Sequence, residues 1–478
     1  MGGMTAVVPA PTLALHPDRL LPADPVTREV ARRLYAAVRE LPIVSPHGHV
    51  PAEWLARDTP FTDPAALLVA PDHYVFRLLH AQGVALEDLG VGGHPLGEAE
   101  SRRAWRLLAQ HWPAFRGTPS RFWMESVLGE VFGVTQRLSP ATADAVYDEI
   151  ADRLATPGYR PRALMRRFGI DVLATTDDPA DDLHHHRRLR DDVSFAHRVV
   201  PTFRPDRYLE PARGDFGHLM SDLARVSGTD TGTYAGYLAA LEERRRHFIE
   251  HGAVSADHSH ADVMTVELQP EEAARLYSLA LTGRILPREA TAFRRHMLLE
   301  MARMSVEDGL VMTLHPGVHR DHHGGTLHRF GHDTGHDIPV AMEFTRGLQP
   351  LLERYGTAAG FHLVVFTVDE TVFSRELAPL AGFYPSVYVG APWWFLDAPE
   401  AVRRFRGAVT ETAGFYRTSG FIDDTRAFLS IPARHDMSRR LDAAYLAQLV
   451  AEHRLDEDEA LETAVDLVTT IPRQAFKL

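Results

Sequence analysis

The chain has 478 residues, 45% of them hydrophobic, enough to bury a large core in one enlarged domain or two ordinary ones. A formal charge of -13 argues against nucleic acid and acidic membranes as main partners, and the absence of cysteine excludes disulfides, a thiolate nucleophile and a Cys-ligated metal. Lys477 is the only lysine, so neither Schiff-base catalysis nor a two-metal centre bridged by a carbamylated lysine is expected, and basic work inside the fold falls to arginine and histidine.

From the N-terminus, the stretch from Met1 to Leu13 is mildly apolar, with no basic region ahead of it and no apolar run of about 20 residues after it. No leader or membrane span is expected, and a cytoplasmic location is the default. Short apolar runs then alternate with helical patterns. The candidate strands are Leu41 to Val44, Val172 to Thr175, His197 to Pro201, Ala253 to Ala256, Leu310 to Leu314, His362 to Phe366, Val387 to Val389 and Gly420 to Ile422. Amphipathic stretches such as Ala141 to Leu154, Tyr234 to His247, Pro287 to Met304 and Ala398 to Thr412 separate them.

This alternation predicts an α/β fold, a parallel (β/α)8 barrel with its chemistry at the C-terminal strand ends. The gap from Val50 to Ile170 is too long for one βα connection. It reads as a helical insertion after strand one, with helices near Pro64 to Gln82, Glu98 to Trp112, Phe122 to Phe132 and Ala141 to Leu154. The organisation expected is a first segment with the first strand over 1–50, the insertion over 51–168 and the rest of the barrel over 169–478.

Ser45-Pro-His-Gly-His49 ends the first strand, and pleat alternation would aim both rings at one side. An HxH pair is weak by itself, since 27 histidines produce roughly one or two by chance. The pairs His184/His186 and His258/His260 also occur, the former in a charged run read as solvated surface. In the late segment Phe421-Ile-Asp-Asp-Thr-Arg426, Asp424 and Arg426 share a face if the strand continues through them; an ordinary rim salt bridge is the plainer reading. His315 follows another apolar run. Several strand ends therefore deliver polar groups to one rim, the pattern of a metal site with an arginine for anions.

The residues also carry a resemblance. Asp72-His-Tyr-Val-Phe-Arg77, Ala174-Thr-Thr-Asp-Asp-Pro179, Val200-Pro-Thr-Phe-Arg-Pro-Asp206, Ala256-Asp-His258, Leu314-His-Pro-Gly317, Asp333-Thr-Gly335, Trp393-Trp-Phe395 and Asp424-Thr-Arg-Ala-Phe-Leu-Ser430 follow in an order that resembles the uronate isomerase (glucuronate isomerase) family of the amidohydrolase superfamily. The resemblance implies a distorted TIM barrel of the metal-dependent hydrolase type. It implies one divalent metal, usually zinc with manganese an alternative, and no organic cofactor. By the same resemblance His47, His49 and Asp424 are metal ligands, Asp424, His315, Tyr74 and His73 are catalytic, and Arg426, Arg204, Trp393 and Asp257 bind substrate.

The activity implied is aldose–ketose interconversion of a small sugar acid, D-glucuronate to D-fructuronate or D-galacturonate to D-tagaturonate, through an enediol. The candidate bases are Asp424, a metal-held hydroxide and His315. A homo-oligomer would be in keeping with barrels of this kind. Three departures stand out: Phe122-Trp-Met-Glu-Ser-Val127 lacks a histidine usual in the family, Leu396-Asp397 replaces Asn-Asp, and Asp321-His-His323 stands where asparagines are frequent. They suggest an altered sugar-reading shell. The alternative activity is a metal hydrolase of the same superfamily acting on a lactone, ester or amide of a sugar acid, and a non-catalytic sugar-acid binder is a third reading.

Overall fold

Most strands of the parallel ladders are short runs buried on both faces, which is what a parallel sheet covered by helices demands. The computed structural model describes residues 12–61, 63–93 and 96–478, so the expectation for the extreme N-terminus lies largely outside the described residues. The strands are β1 (Ile43–Ser45), β2 (Ile170–Ala174), β3 (Arg198–Val200), β4 (Thr202–Phe203), β5 (Ser255–His258), β6 (Val311–Leu314), β7 (Val318–His319), β8 (Ile338–Pro339), β9 (Leu363–Val365) and β10 (Val387–Val389). Parallel ladders run β1-β2-β3 and β4-β5-β6-β9-β10, while β7 and β8 form a small antiparallel ribbon.

The strand expected over His197 to Pro201 is interrupted. Pro201 has no N–H to donate, so β3 pairs with β2 before it and β4 pairs with β5 after it. One chain segment thus joins the two ladders.

The last expected strand, Gly420 to Ile422, is corrected: the segment is irregular. A single bridge joins Thr418 to Val389, the Ser419 N–H donates to the Val389 carbonyl at 3.0 Å, and the His49 N–H donates to the Thr425 carbonyl at 3.1 Å. These contacts carry the segment from β10 to the edge of β1, closing a distorted (β/α)8 barrel. The physical reason is local. Gly420 adopts a left-handed backbone (φ 70°), and a Cβ there would lie 2.8 Å from Pro472 Cδ and 3.1 Å from the Leu467 carbonyl oxygen. Close packing of the C-terminal helices replaces ladder pairing.

Between β1 and β2 lie the helices Ala52–Arg57, Pro64–Leu68, His73–Ala81, Glu98–His111, Pro119–Ser126, Ala143–Leu154 and Pro161–Arg167. Their core, built on Trp105, Phe115, Phe132 and Ile150, runs into Ile43 and Ile170 of the barrel. The expected helix Pro64 to Gln82 is two helices, and the one expected over Phe122 to Phe132 starts at Pro119 and passes into a π-helical turn, Val127–Val131.

Pro25–Val38 packs against Ile431–Ala451 and Glu457–Val468 through Val30, Leu34, Val38, Leu446 and Leu467. The sequence reading does not find these helices. Ile431–Ala451 is buried almost all round, Arg434, His435, Arg439, Arg440 and Asp442 included, so it has no polar face from which to read a helical period. Among the described residues no helix is long and apolar enough to cross a membrane.

Gly420→Ala forces a Cβ into the seam between the closing segment and the C-terminal helices. We expect a loss of about 1–3 kcal/mol of unfolding free energy, read as a lower denaturant midpoint in a spectroscopic unfolding curve.

Candidate active site

At the C-terminal end of the strands lies a cavity of about 360 Å³. His47, His49, His73, Tyr74, Arg204, His315, Trp393, Asp424 and Arg426, all singled out from the sequence, line it; Asp257 sits just beneath, against His315.

The two early histidines arrive otherwise than by pleat alternation. β1 ends at Ser45, so His47 and His49 belong to the loop after it and meet edge to face, with ring centroids 5.4 Å apart. Asp424 likewise lies on no strand face, its backbone being left-handed (φ 36°). This conformation is costly for a residue with a Cβ, and it turns the carboxylate toward the histidines. Asp424 Oδ1 stands 3.4 Å from His47 Nε2 and 3.0 Å from His49 Nε2.

The electrostatics follow from burial and proximity. Burial alone would raise Asp424, but the His47 and His49 imidazoles hold it well below the usual carboxylate range. Burial acts to lower His47, but the Asp257 and Asp424 carboxylates outweigh it and raise that ring; at His49 burial prevails and lowers it.

The three donor atoms lie within 4.8 Å of one another, and Asp424 Oδ1 is buried without a properly formed hydrogen bond. A buried carboxylate oxygen facing two imidazole nitrogens is a coordination set that a divalent cation satisfies, so the residues fit a metal. A second grouping, His47, Asp257 and His315, is better described as a hydrogen-bonded dyad. Asp257 Oδ1 already accepts from Thr313 Oγ1 and meets His315 Nδ1, both at 2.6 Å.

His315 is clamped. It stacks on His47 at 4.6 Å and on Phe366 at 4.1 Å, and Trp393 meets it edge-on at 4.8 Å. Burial lowers its pKa against the opposing pull of Asp257, and its Nε2 is buried without a partner. Burial would raise Asp257, yet His315, His47 and Arg204 together hold it well below the usual range. Arg204 reaches Asp257 Oδ2 at 3.4 Å and donates from Nε to Asp206 Oδ2 at 2.8 Å.

His73 and Tyr74 owe their position to the break in the insertion helix. Asp72 caps the second half, accepting the Tyr74 N–H at 2.9 Å, and this sets both side chains in the first helical turn. Burial, reinforced by the charge of Arg426, keeps His73 neutral down to about 3, and its Nε2 has no partner. Burial pushes the Tyr74 phenol up, so it stays protonated. Behind Tyr74, Arg434 lies 5.0 Å from its ring and 3.7 Å over Trp123, and it pairs with Asp397 at 2.7 Å.

Stretches 122–127, 396–397 and 321–323, where the sequence departs from the family pattern, do not line the cavity. Trp123 and Asp397 support Tyr74 from behind, and Asp321 pairs with His332. The charged run 184–186 is corrected in part: His184 is exposed, but His186 is buried against Thr175 Oγ1 at 2.8 Å, because the inner face of helix His184–Asp191 packs on the barrel. Arg320, Asp337, Ser259 and Asp206 also line the cavity and were not singled out. Asp206 ends the motif Val200-Pro-Thr-Phe-Arg-Pro-Asp206; the others come from loops with no periodic signal.

A family model described as glucuronate isomerase matches residues 24–472. A uronate isomerase of Cutibacterium acnes is 55% identical over 468 residues, covering 98% of this chain and 99% of its own. A crystal structure of glucuronate isomerase from Caulobacter crescentus superposes with a TM-score of 0.95 at 48% identity over 98% of both chains. For a uronate isomerase from Thermotoga maritima the TM-score is 0.91 at 29% identity, over 97% of this chain and 99% of the other.

If Asp424 completes the donor set, Asp424→Ala weakens divalent-metal affinity at least about tenfold. Metal content after dialysis against a graded chelator, measured by mass spectrometry, is the check; wild-type retention by the variant would remove Asp424 from the set.

Proposed function

Because this chain belongs to the glucuronate isomerase family, we propose that the cavity described above is where it interconverts an open-chain uronic acid and its keto form, D-glucuronate with D-fructuronate or D-galacturonate with D-tagaturonate. The protein is an isomerase, and the hydrolase alternative is not favoured. The observation that carries the reading of the site is the convergence of His47, His49 and Asp424 at one end of a cavity that has Arg426 at its mouth.

The substrate has a carboxylate at one end and an aldehyde at the other. Arg426 suits the first, since a guanidinium offers paired N–H donors to a carboxylate, and Arg204 suits a chain hydroxyl or the reacting end. Fixing the far end decides which carbon lies at the base. His47, His49 and Asp424 would hold a divalent metal, zinc or manganese, which supplies Lewis-acid stabilisation of the negative charge that develops as the enediol forms.

Aldose–ketose exchange moves a proton from C2 to C1. His315 is the base best supported here. Ionised Asp257 is an acceptor only, so it favours hydrogen on His315 Nδ1 and leaves the lone pair on Nε2. His315 Nε2 would take the C2 proton and return it at C1, which requires no second base. Asp424 is the less suited candidate, because its Oδ1 belongs to the donor set that fits the metal. Tyr74, kept protonated by burial, and neutral His73 would pass protons between the O1 and O2 oxygens. Trp393 and Trp394 wall the cavity and limit water, which protects the enediol.

Metal-loaded protein should form ketose from D-glucuronate or D-galacturonate, followed by a coupled keto-acid reduction, and lose this activity on chelation. Tyr74→Phe should lower kcat by about 10²–10⁴-fold with a smaller change in KM. Turnover of a lactone panel without isomerisation would overturn the reading.

A further inference from the structure

The loop that carries His47 and His49 lies beyond the ladder of β1, so its position needs other bonds. One peptide supplies them. The Gly48 carbonyl accepts from Thr176 Oγ1 at 2.9 Å, and the His49 N–H, at the opposite edge of the same peptide plane, donates to the Thr425 carbonyl at 3.1 Å. A planar trans amide gripped at both edges is fixed in orientation. His47 precedes this peptide, His49 follows it, and Asp424 adjoins the residue that holds its N–H, so the three donors stand around one fixed plate.

Thr176 is placed for this task by the residues beside it. β2 ends at Ala174, and the segment after it is tied down on its other side: Thr175 Oγ1 donates to Asp177 Oδ2 at 2.6 Å and lies 2.8 Å from the Nε2 of buried His186. The Asp177 N–H donates to the Thr202 carbonyl at 3.0 Å, and the Asp177 carbonyl accepts the Arg204 N–H at 3.1 Å. Neighbouring threonines thus have separate duties, Thr175 joining the segment to helix His184–Asp191 and Thr176 reaching the metal-fitting loop.

We propose that Thr176 is a positioning residue for the metal donor set: its hydroxyl fixes the tilt of the Gly48–His49 peptide and, through it, the direction of the His49 ring. The inference rests on the reading of His47, His49 and Asp424 as ligands. Gly48 is buried, so without the hydroxyl its carbonyl loses a partner that water does not readily replace. The peptide is then held at its N–H edge alone and tilts about that bond, carrying the His49 Cβ with it. His47, buried and stacked on His315 at 4.6 Å, keeps its place, whereas the His49 side chain is 22% exposed and has room to move. A bond of about 2.0–2.1 Å from metal to imidazole nitrogen leaves little tolerance for such a shift.

The test uses the full-length protein. Zinc affinity is read by titration against a graded chelator, and donor geometry by the visible absorption of cobalt-loaded protein; far-UV spectra confirm that each variant is folded. Thr176→Val keeps the branched shape and removes the donor, and it should weaken zinc binding about tenfold and shift the cobalt bands. Thr176→Ala, which also lacks the hydroxyl, should do the same, and Thr176→Ser should restore both properties towards the wild type. If the two hydroxyl-free variants bind zinc and cobalt as the wild type does, the proposal is overturned. It is overturned also if Thr176→Ser behaves like Thr176→Val, because the effect then belongs to packing and not to the hydrogen bond. A wild type that takes up no divalent metal would remove the donor set itself and this inference with it, an outcome distinct from a wild-type site that Thr176→Val leaves intact.

Discussion

A single buried carboxylate oxygen, Asp424 Oδ1, is shared between imidazoles from the opposite end of the chain, and much of the architecture serves to keep it there. Asp424 stands in a segment with no regular ladder, between Gly420, pressed on the C-terminal helices, and Thr425, whose carbonyl accepts the His49 N–H. That last bond ties the closing segment to the loop after β1. The seam that closes the barrel is thus the place where the metal-fitting donors meet. Strain in the Asp424 backbone is tolerable only because packing on both sides fixes the conformation.

Charge is organised around this point in separate groups. From beneath the cavity floor Asp257 holds His315 and Arg204, and Asp206, in the lining, also holds Arg204. At the mouth, Asp333 and Asp337 hold Arg320 and Arg426. Behind the aromatic wall, the buried Arg434 pairs with Asp397 and stacks between Trp123 and Tyr74. Each arginine facing the cavity is fixed by a carboxylate that is not the substrate's. Removing the fully buried Asp257 would leave Arg204 without its desolvated partner, which costs more than the pair itself contributes. The cavity thereby offers two kinds of chemistry: imidazoles with a metal-fitting carboxylate, and guanidiniums.

The family resemblance alone implies His73, Tyr74, Arg204, Asp257 and Trp393, but composition and local order are enough to determine the fold class, most barrel strands and the strand-end candidates His47, His49, His315, Asp424 and Arg426. These features rest on periodicity and on short-range chemistry, which a sequence displays directly: Leu310 to Leu314 is a buried strand by its run of apolar residues, and His47 and His49 are neighbours in any conformation. What only the tertiary structure decided are the features made by packing at a distance. The irregular closure at Gly420 depends on Pro472 and Leu467, and the burial of His186 on a barrel face its own helix covers. Helix Ile431–Ala451 has no amphipathic signal because every side of it is covered. The pairing of Arg426 with Asp333 joins residues 93 positions apart, and a contact of that kind comes into being only when the loop after β6 folds over the mouth.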